Sequence, residues 1–470
     1  MKKYLSLFLF FMLISADTAS AVQPSGSMVV SAHPLATQAG LQVLKQGGNA
    51  FDAAAATALA LGVVEPGSSG MGGGGFFLLY IAKEKRYVML DARETSPALA
   101  GHGEIYQEHS SINGPQSAGV PGLIAGVDDL IKTYGRLPRR QSTQPAIMLA
   151  SDGFPISPRL QRMIQWRAKV LNPAALPSSG GITMAEIFGM LKDVNFSAMS
   201  RLERIHLIIE TMKRAYRDRN HYLGDRDFVR VPDLLSAKRL ERLRASIDES
   251  RATPAEDLQG FAEPIGASVD TTHFSVVDDE GNMVSATLSI NYGMGSGYVS
   301  PSTGILLNDE MDDFATQPGK PNAYGLVQGK ANAVAPGKRM LSSMSPTFVV
   351  NKDRTFVVGT PGGSRIISMV MLASLAFVLN ETEADTWVNA PRFHHQFLPD
   401  EVQYEAGAFT DDELRALRAR GHHLKEVRRY GNMQAIVWQH SSGNLKAISD
   451  VRGEGRGVFL PSVTKPAEKP

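Results

Sequence analysis

With 470 residues the chain can hold a large core, and its length suits two to four domain-sized pieces or one large layered unit. Lysines and arginines total 48 against 47 aspartates and glutamates, a net charge of +1 that asks for neither nucleic acid nor an anionic membrane as partner. There is no cysteine, so disulfides, thiolate nucleophiles and Cys-based zinc sites are excluded.

Lys2 and Lys3 precede an apolar run over residues 4–14, and Ala19-Ser20-Ala21 supplies the small residues of a cleavage site. The pattern is that of a secretory signal peptide over residues 1–21, too short in its apolar part for a membrane span. It predicts an exported protein, periplasmic or secreted, free of the membrane once the signal is removed.

A short strand is expected at residues 28–31, then a helix with Pro34 in its first turn and Gly47-Gly48 at its end. Residues 51–64 are almost all Ala, Leu and Val, with Asp52 and Thr57 the polar exceptions. A helix apolar on every side lies between layers. The glycine cluster at 70–75 (GMGGGG) leads into an apolar strand, 76–81, with a hairpin partner at 87–91. A dinucleotide-binding fingerprint follows a strand and opens a helix, which is the reverse order. Close backbone packing is the better account of the glycines. Arg93 stands just past the second strand, placed to clamp a carboxylate.

Helical periodicity returns at 123–134, around 145–151, at 183–191 and over the long stretch 202–222. The outer face of the last is dense in Arg, Glu and Asp and reads as solvated. Residues 270–291 (DTTHFSVVDDEGNMVSATLSIN) follow a polar segment and form a hairpin, β-branched runs about a polar turn. Taken alone, Thr271-Thr272-His273 is an ordinary strand start. Residues 318–329 are too rich in Pro and Gly for helix or strand, and this loop with its Tyr324 is a candidate lid. A hairpin at 347–359 runs into Pro361-Gly362-Gly363-Ser364 and the apolar helix 365–379. Free backbone N–H groups at such a turn suit an anion or an oxyanion. A capping box (Thr410 with Glu413) opens a helix at 410–420, strands follow at 433–439 and 445–449, and a Lys- and Pro-rich tail ends the chain. The pairs His394-His395 and His422-His423 have no carboxylate at metal spacing, so no metal site is expected. Hairpins outnumber βαβ units, which predicts an α+β fold of two stacked, mainly antiparallel sheets covered by helices, a four-layer αββα sandwich.

Ten stretches together resemble the γ-glutamyltranspeptidases, also called glutathione hydrolases. They are residues 47–56 (GGNAFDAAAA), 72–77 (GGGGFF), 91–94 (DARE), 177–181 (PSSGG), 271–273 (TTH), 304–314 (GILLNDEMDDF), 339–346 (RMLSSMSP), 361–366 (PGGSRI), 389–396 (NAPRFHHQ) and 449–452 (SDVR). They run in the family's order through most of the chain. The resemblance implies an αββα N-terminal nucleophile hydrolase, made as a proenzyme that cuts itself between Asp270 and Thr271. A large subunit, 22–270, and a small subunit, 271–470, would remain together as a heterodimer.

By matching position, Thr271 would be the nucleophile that forms a γ-glutamyl ester, supported by Ser289, with Gly362 and Gly363 as the oxyanion hole. Arg93, Ser342 and Ser343 would hold the donor's α-carboxylate. Asp313, Glu310 and Asn291 would hold its α-ammonium, under Tyr324 as lid. Glutathione and other γ-glutamyl compounds are the implied donors, water, amino acids or peptides the acceptors, and no cofactor or metal is needed. Two departures stand out. A sizeable block that family members carry is absent near residues 168–176, and Val451 stands where Pro is common before the arginine. The shortened chain therefore leaves two alternatives: a silent, unprocessed homologue, or a related acylase with a different donor.

Overall fold

A computed structural model describes residues 21–167, 180–192, 194–225, 228–229, 231–258, 271–322, 325–380 and 382–462. Most of the expected signal peptide, the shortened join near 168–176 and the basic tail lie outside the described residues.

The first part of the chain holds β1 (Gly26–Ser31), α1 (Pro34–Lys45), α2 (Ala50–Val64), β2 (Gly74–Ile81), β3 (Arg86–Ala92), α3 (Leu123–Tyr134) and α4 (Arg139–Asp152). It continues with α5 (Pro158–Arg167), α6 (Gly180–Leu191), α7 (Arg201–Tyr222) and α8 (Ala237–Ala245). From Thr271 onward come β4 (Thr272–Val277), β5 (Met283–Ser289), β6 (Thr347–Val350), β7 (Arg354–Gly359), α9 (Ile366–Leu379) and α10 (Ala384–Asn389). The chain closes with β8 (Phe393–His394), β9 (Val402–Glu405), α11 (Asp411–Ala419), β10 (Leu424–Val427), β11 (Gln434–Gln439), β12 (Leu445–Ser449) and β13 (Arg456–Pro461).

Six strands form one antiparallel sheet in the order β13-β1-β4-β5-β2-β3, and four form a second, β12-β11-β7-β6. Met28, Val30, Leu78, Val277 and Met283 of the large sheet meet Phe348, Val357, Ile436 and Trp438 of the small one in a shared apolar core. Helices α1 to α4 cover the other face of the large sheet, and α9 with α10 the outer face of the small sheet. That is the four-layer αββα arrangement, with a minor sheet, β10-β9-β8, beside it.

Local chemistry explains the helix layer. In α2, Asn49 and Asp52 make a reciprocal capping box, and nearly every residue from Ala50 to Leu61 is buried. Asp52 also accepts from Arg136 N at 2.8 Å and Ser142 Oγ at 3.2 Å, tying α2 to the start of α4. The capping box of Thr410 and Glu413 opens α11 as its sequence predicts.

One expectation fails. Fifteen of the 22 residues of α7 are buried, Glu210, Lys213, Arg214, Asp218 and Arg219 among them. Arg214 reaches Glu210 at 2.6 Å, Lys213 reaches Asp400 at 2.9 Å, and Arg217 and Arg239 share Asp218. Some of these pairs lie along the helix and others draw on Asp400 and Arg239 from elsewhere in the chain, which a periodicity argument cannot see.

The sheets approach closely at the head of β4. His273 faces the small sheet, its Nδ1 2.8 Å from Thr287 Oγ1, and its ring lies against Gly359 of β7, where any Cβ would overlap it. Gly359→Ala is expected to cost about 1–3 kcal/mol by overpacking. Urea unfolding measures this; a variant as stable as the parent would show that the ring has room to move.

Candidate active site

The two central strands set the first pair of groups. In the β4–β5 register Thr272 pairs with Leu288. Thr271, just before β4, therefore lies beside Ser289, with Thr271 Oγ1 3.2 Å from Ser289 Oγ and both side chains buried. Thr272 points to the opposite face and donates to Glu65 Oε2 at 2.7 Å. After β5 the chain turns through Asn291, whose φ of 70° is tolerated by an Asn in the left-handed region. Its N–H donates to Ser289 Oγ at 2.8 Å. One acceptor site of Ser289 is thus occupied, and its own proton can serve Thr271.

Glu310 and Asp313 sit on a single-turn 3₁₀ helix whose last carbonyl is fixed by two amides. Asp313 O accepts from Gln328 Nε2 at 3.0 Å and Asn332 Nδ2 at 2.5 Å. Asn291 Nδ2 donates to Asp309 O at 3.2 Å, joining this turn to the end of β5. Arg93 follows β3 and is buried. Its Nη1 binds Glu94 at 2.9 Å and Glu310 at closer range, while Nη2 is 3.9 Å from Asp313. Burial pushes Glu310 up to about 7 against the pull of Arg93. It raises Glu94 and Asp313 well above the usual carboxylate range. One guanidinium among several buried acids favours protonated carboxyls, and an added cation would favour their ionisation.

Past β7 the chain makes the turn Gly362-Gly363. Gly363 has φ of 54°, and a Cβ on Gly362 would overlap Met369 of α9. Neither N–H donates to another described residue, so both are free for an oxyanion. Ser342 and Ser343 lie on the segment before β6. Met344 N donates to Ser342 Oγ at 3.0 Å.

These segments converge. Thr271, Ser289, Asn291, Glu310, Asp313, Ser342, Ser343 and Gly363 line one cavity, together with Leu326, Met344, Ser364 and Ile366. Arg93 stands behind Glu310, and Gly362 immediately before Gly363. Asp270 and Tyr324 lie outside the described residues. The glycine cluster has its reason here. A Cβ on Gly73 would strike the Ser289 carbonyl, and one on Gly74 would strike the Glu94 carboxyl.

Sequence reasoning passed over three supporting residues. Glu94 was visible only as part of the Asp91–Glu94 match. Tyr216 OH donates to Ser364 O at 2.5 Å, and Arg219 Nη2 donates to Ser343 Oγ at 3.2 Å. Both lie on α7, whose length was legible and whose burial was not. Among the described residues no group of His, Asp and Glu is arranged to hold a metal ion.

Known proteins bear on this arrangement. The family model for gamma-glutamyltranspeptidase matches residues 36–176 and 173–460. A glutathione hydrolase proenzyme of Escherichia coli (strain K12) is 34% identical, over 93% of this chain and 92% of that protein. Another, from Pseudomonas sp. (strain A14), is 33% identical over 90% and 91%. The E. coli alignment spans 542 positions against 470 residues here, so that relative carries residues for which this chain has none. Among solved structures, a cephalosporin acylase from Bacillus halodurans matches with a TM-score of 0.78 over 97% of this chain and all of that one. At 22% identity it speaks for the fold alone, the layered α+β arrangement described above. The chain belongs to the gamma-glutamyltranspeptidase family.

Proposed function

We propose that the protein is an exported γ-glutamyltranspeptidase or glutathione hydrolase, made as a proenzyme and activated by cleavage between Asp270 and Thr271. The observation that carries this is the meeting, around one cavity, of a paired hydroxyl, a double-glycine turn, two acids (Glu310 buried, Asp313 half-buried) and two serines from distant parts of the chain. The curated relatives, named as proenzymes, support the same reading.

In the mature enzyme the α-amino group of Thr271 would serve as base, with a reference pKa of about 7.7–8.0. It takes the proton of Thr271 Oγ1 as that oxygen attacks the γ-carbonyl of the donor. The N–H groups of Gly362 and Gly363 meet the developing oxyanion. Collapse expels the amine, which takes up the proton, and leaves the γ-glutamyl ester on Thr271. Water or the amine of an acceptor then resolves the ester. Arg93 with Ser342 and Ser343 would hold the donor's carboxylate, and Asp313, Glu310 and Asn291 its ammonium, since each buried charge needs a partner. The large and small subunits are the two products of one precursor.

Three outcomes test this. On a denaturing gel the purified protein is expected as two bands, with Thr271 the first residue of the smaller, and glutamate is released from glutathione. Thr271→Ala is expected to remain one band. A single full-length band in the parent, with no glutamate released, would instead identify a silent homologue. Arg93→Ala is expected to abolish turnover of γ-glutamyl donors. If the chain is an acylase for donors that lack the amino-acid group, the variant keeps its activity on those.

The third outcome is pH dependence. Glu310 titrates near 7 in the free protein, protonated below and ionised above. A donor ammonium prefers the ionised form, so KM is expected to fall as pH rises from 6 to 8. Glu310→Gln should flatten this trend in KM while the inflection in kcat from the Thr271 amine remains. A KM trend identical in parent and variant would remove Glu310 from ammonium binding.

A further inference from the structure

We propose that Arg219 of α7 is a positioning residue for the carboxylate of the substrate, fixing the Ser343 hydroxyl as a donor into the cavity and supplying positive charge behind it. The inference rests on the γ-glutamyl reading above.

Arg219 is buried, at 2% exposure. Its Nη2 donates to Ser343 Oγ at 3.2 Å and its Nη1 to Asn220 Oδ1 at 3.1 Å, while Nε has no hydrogen-bond partner. No carboxylate among the described residues pairs with it directly; its attraction to Asp313 is through space. Arg93 differs, because Glu94 and Glu310 already hold it. A buried guanidinium with no carboxylate partner is costly, and an anion brought near it is correspondingly favoured.

The serine completes the argument. A hydroxyl has one proton and two acceptor sites. With a guanidinium N–H directed at Ser343 Oγ, the serine proton cannot point back toward Arg219. Ser343 lines the cavity, and its hydroxyl donates to no described residue. The proton is therefore available to the cavity. Ser342 repeats the pattern, because Met344 N occupies an acceptor site on its Oγ. Two neighbouring hydroxyls, each with one acceptor site filled and a proton to give, with a cation behind one of them, make a receptor for an anion.

The helix holds Arg219 in place. Tyr216, three residues earlier on the same face, donates to Ser364 O at 2.5 Å, directly after the glycine turn. Asn220 O accepts from Gly329 N at 3.0 Å. One face of α7 thus braces the glycine turn, the serine pair and the loop before β6.

The test compares two anilide donors, γ-glutamyl-p-nitroanilide and 4-aminobutyryl-p-nitroanilide, which differ by the α-carboxylate. Arg219→Gln is expected to lower the ratio of kcat/KM for the first over the second by about tenfold or more, mostly through KM, as for a lost charge-assisted contact. Arg219→Lys should recover part of that loss. Ser343→Ala should lower the ratio too, and adding Arg219→Gln to it should cost less than Arg219→Gln alone. Equal losses on both donors would overturn the proposal and make Arg219 a packing strut. If Arg219→Gln does not fold, an unchanged ratio in Ser343→Ala overturns it instead. A parent protein with no preference for the γ-glutamyl donor refutes the function itself, and this proposal with it.

Discussion

Thr271 and Ser289 face each other because β4 pairs with β5 in one register, Thr272 opposite Leu288. Side chains alternate along β4. Phe274 and Val276 pack toward the helices, while His273, Ser275 and Val277 face the small sheet. A slip of one residue would exchange the two sets and bury His273 among alanines and leucines. It would also carry Thr271 to the face where Thr272 now meets Glu65. Burial on both faces excludes that slip, so the hydroxyl pair is as firmly specified as the core. Gly73 and Gly74, at the head of β2, belong to the same constraint, because only bare backbone lets the Ser289 carbonyl and the Glu94 carboxyl come so near.

The second constraint is charge. Arg93, Glu94 and Glu310 are all buried, and a second guanidinium, that of Arg219, lies behind Ser343. Removing one partner from such a group leaves an uncompensated charge, at a cost of about 3–5 kcal/mol. A fold optimised only for stability would replace the group with apolar side chains. Burial shifts its acids toward the protonated form, Glu310 up to about 7 and Asp313 well above the usual carboxylate range, and an arriving cation favours their ionisation. On the proposed function, affinity for a zwitterionic donor would then rest on the protonation state of the free protein as well as on its shape.

Much of this was legible in the sequence. Turns, caps and apolar periodicity located α2, α3, α7, α9, α11 and the three main hairpins, because each signal is local. β8, β9, β10 and β13 were not anticipated. They are two to six residues long; β13 pairs with β1 from the other end of the chain, while β8, β9 and β10 pair only with one another in the minor sheet. The candidate site residues were picked out by position in a motif rather than by chemistry. Ser342, Ser343, Glu310 and Asp313 have nothing in their local sequence that separates a turn from a binding wall. Arg219 escaped for the converse reason. In a helix with an arginine or lysine at nearly every turn, one more charge reads as solvent-facing until tertiary contacts show the helix to be enclosed.

The shortened join can be weighed in the same terms. The match to the family breaks between residues 173 and 176, and the aligned relative carries additional residues. The flanks are each anchored without reference to what lies between them. On one side, α5 sends Arg167 to Gly295 O at 2.6 Å and Arg159 to within 3.3 Å of Glu65, the residue that receives the Thr272 hydroxyl. On the other, α6 packs on α7 and α9, the helix that carries Arg219 and the helix that follows the glycine turn. Ion pairing and a backbone contact secure one flank, and apolar packing secures the other. Both flanks thus reach segments that frame the cavity, one through Glu65 and the Thr272 hydroxyl, the other through α7 and α9.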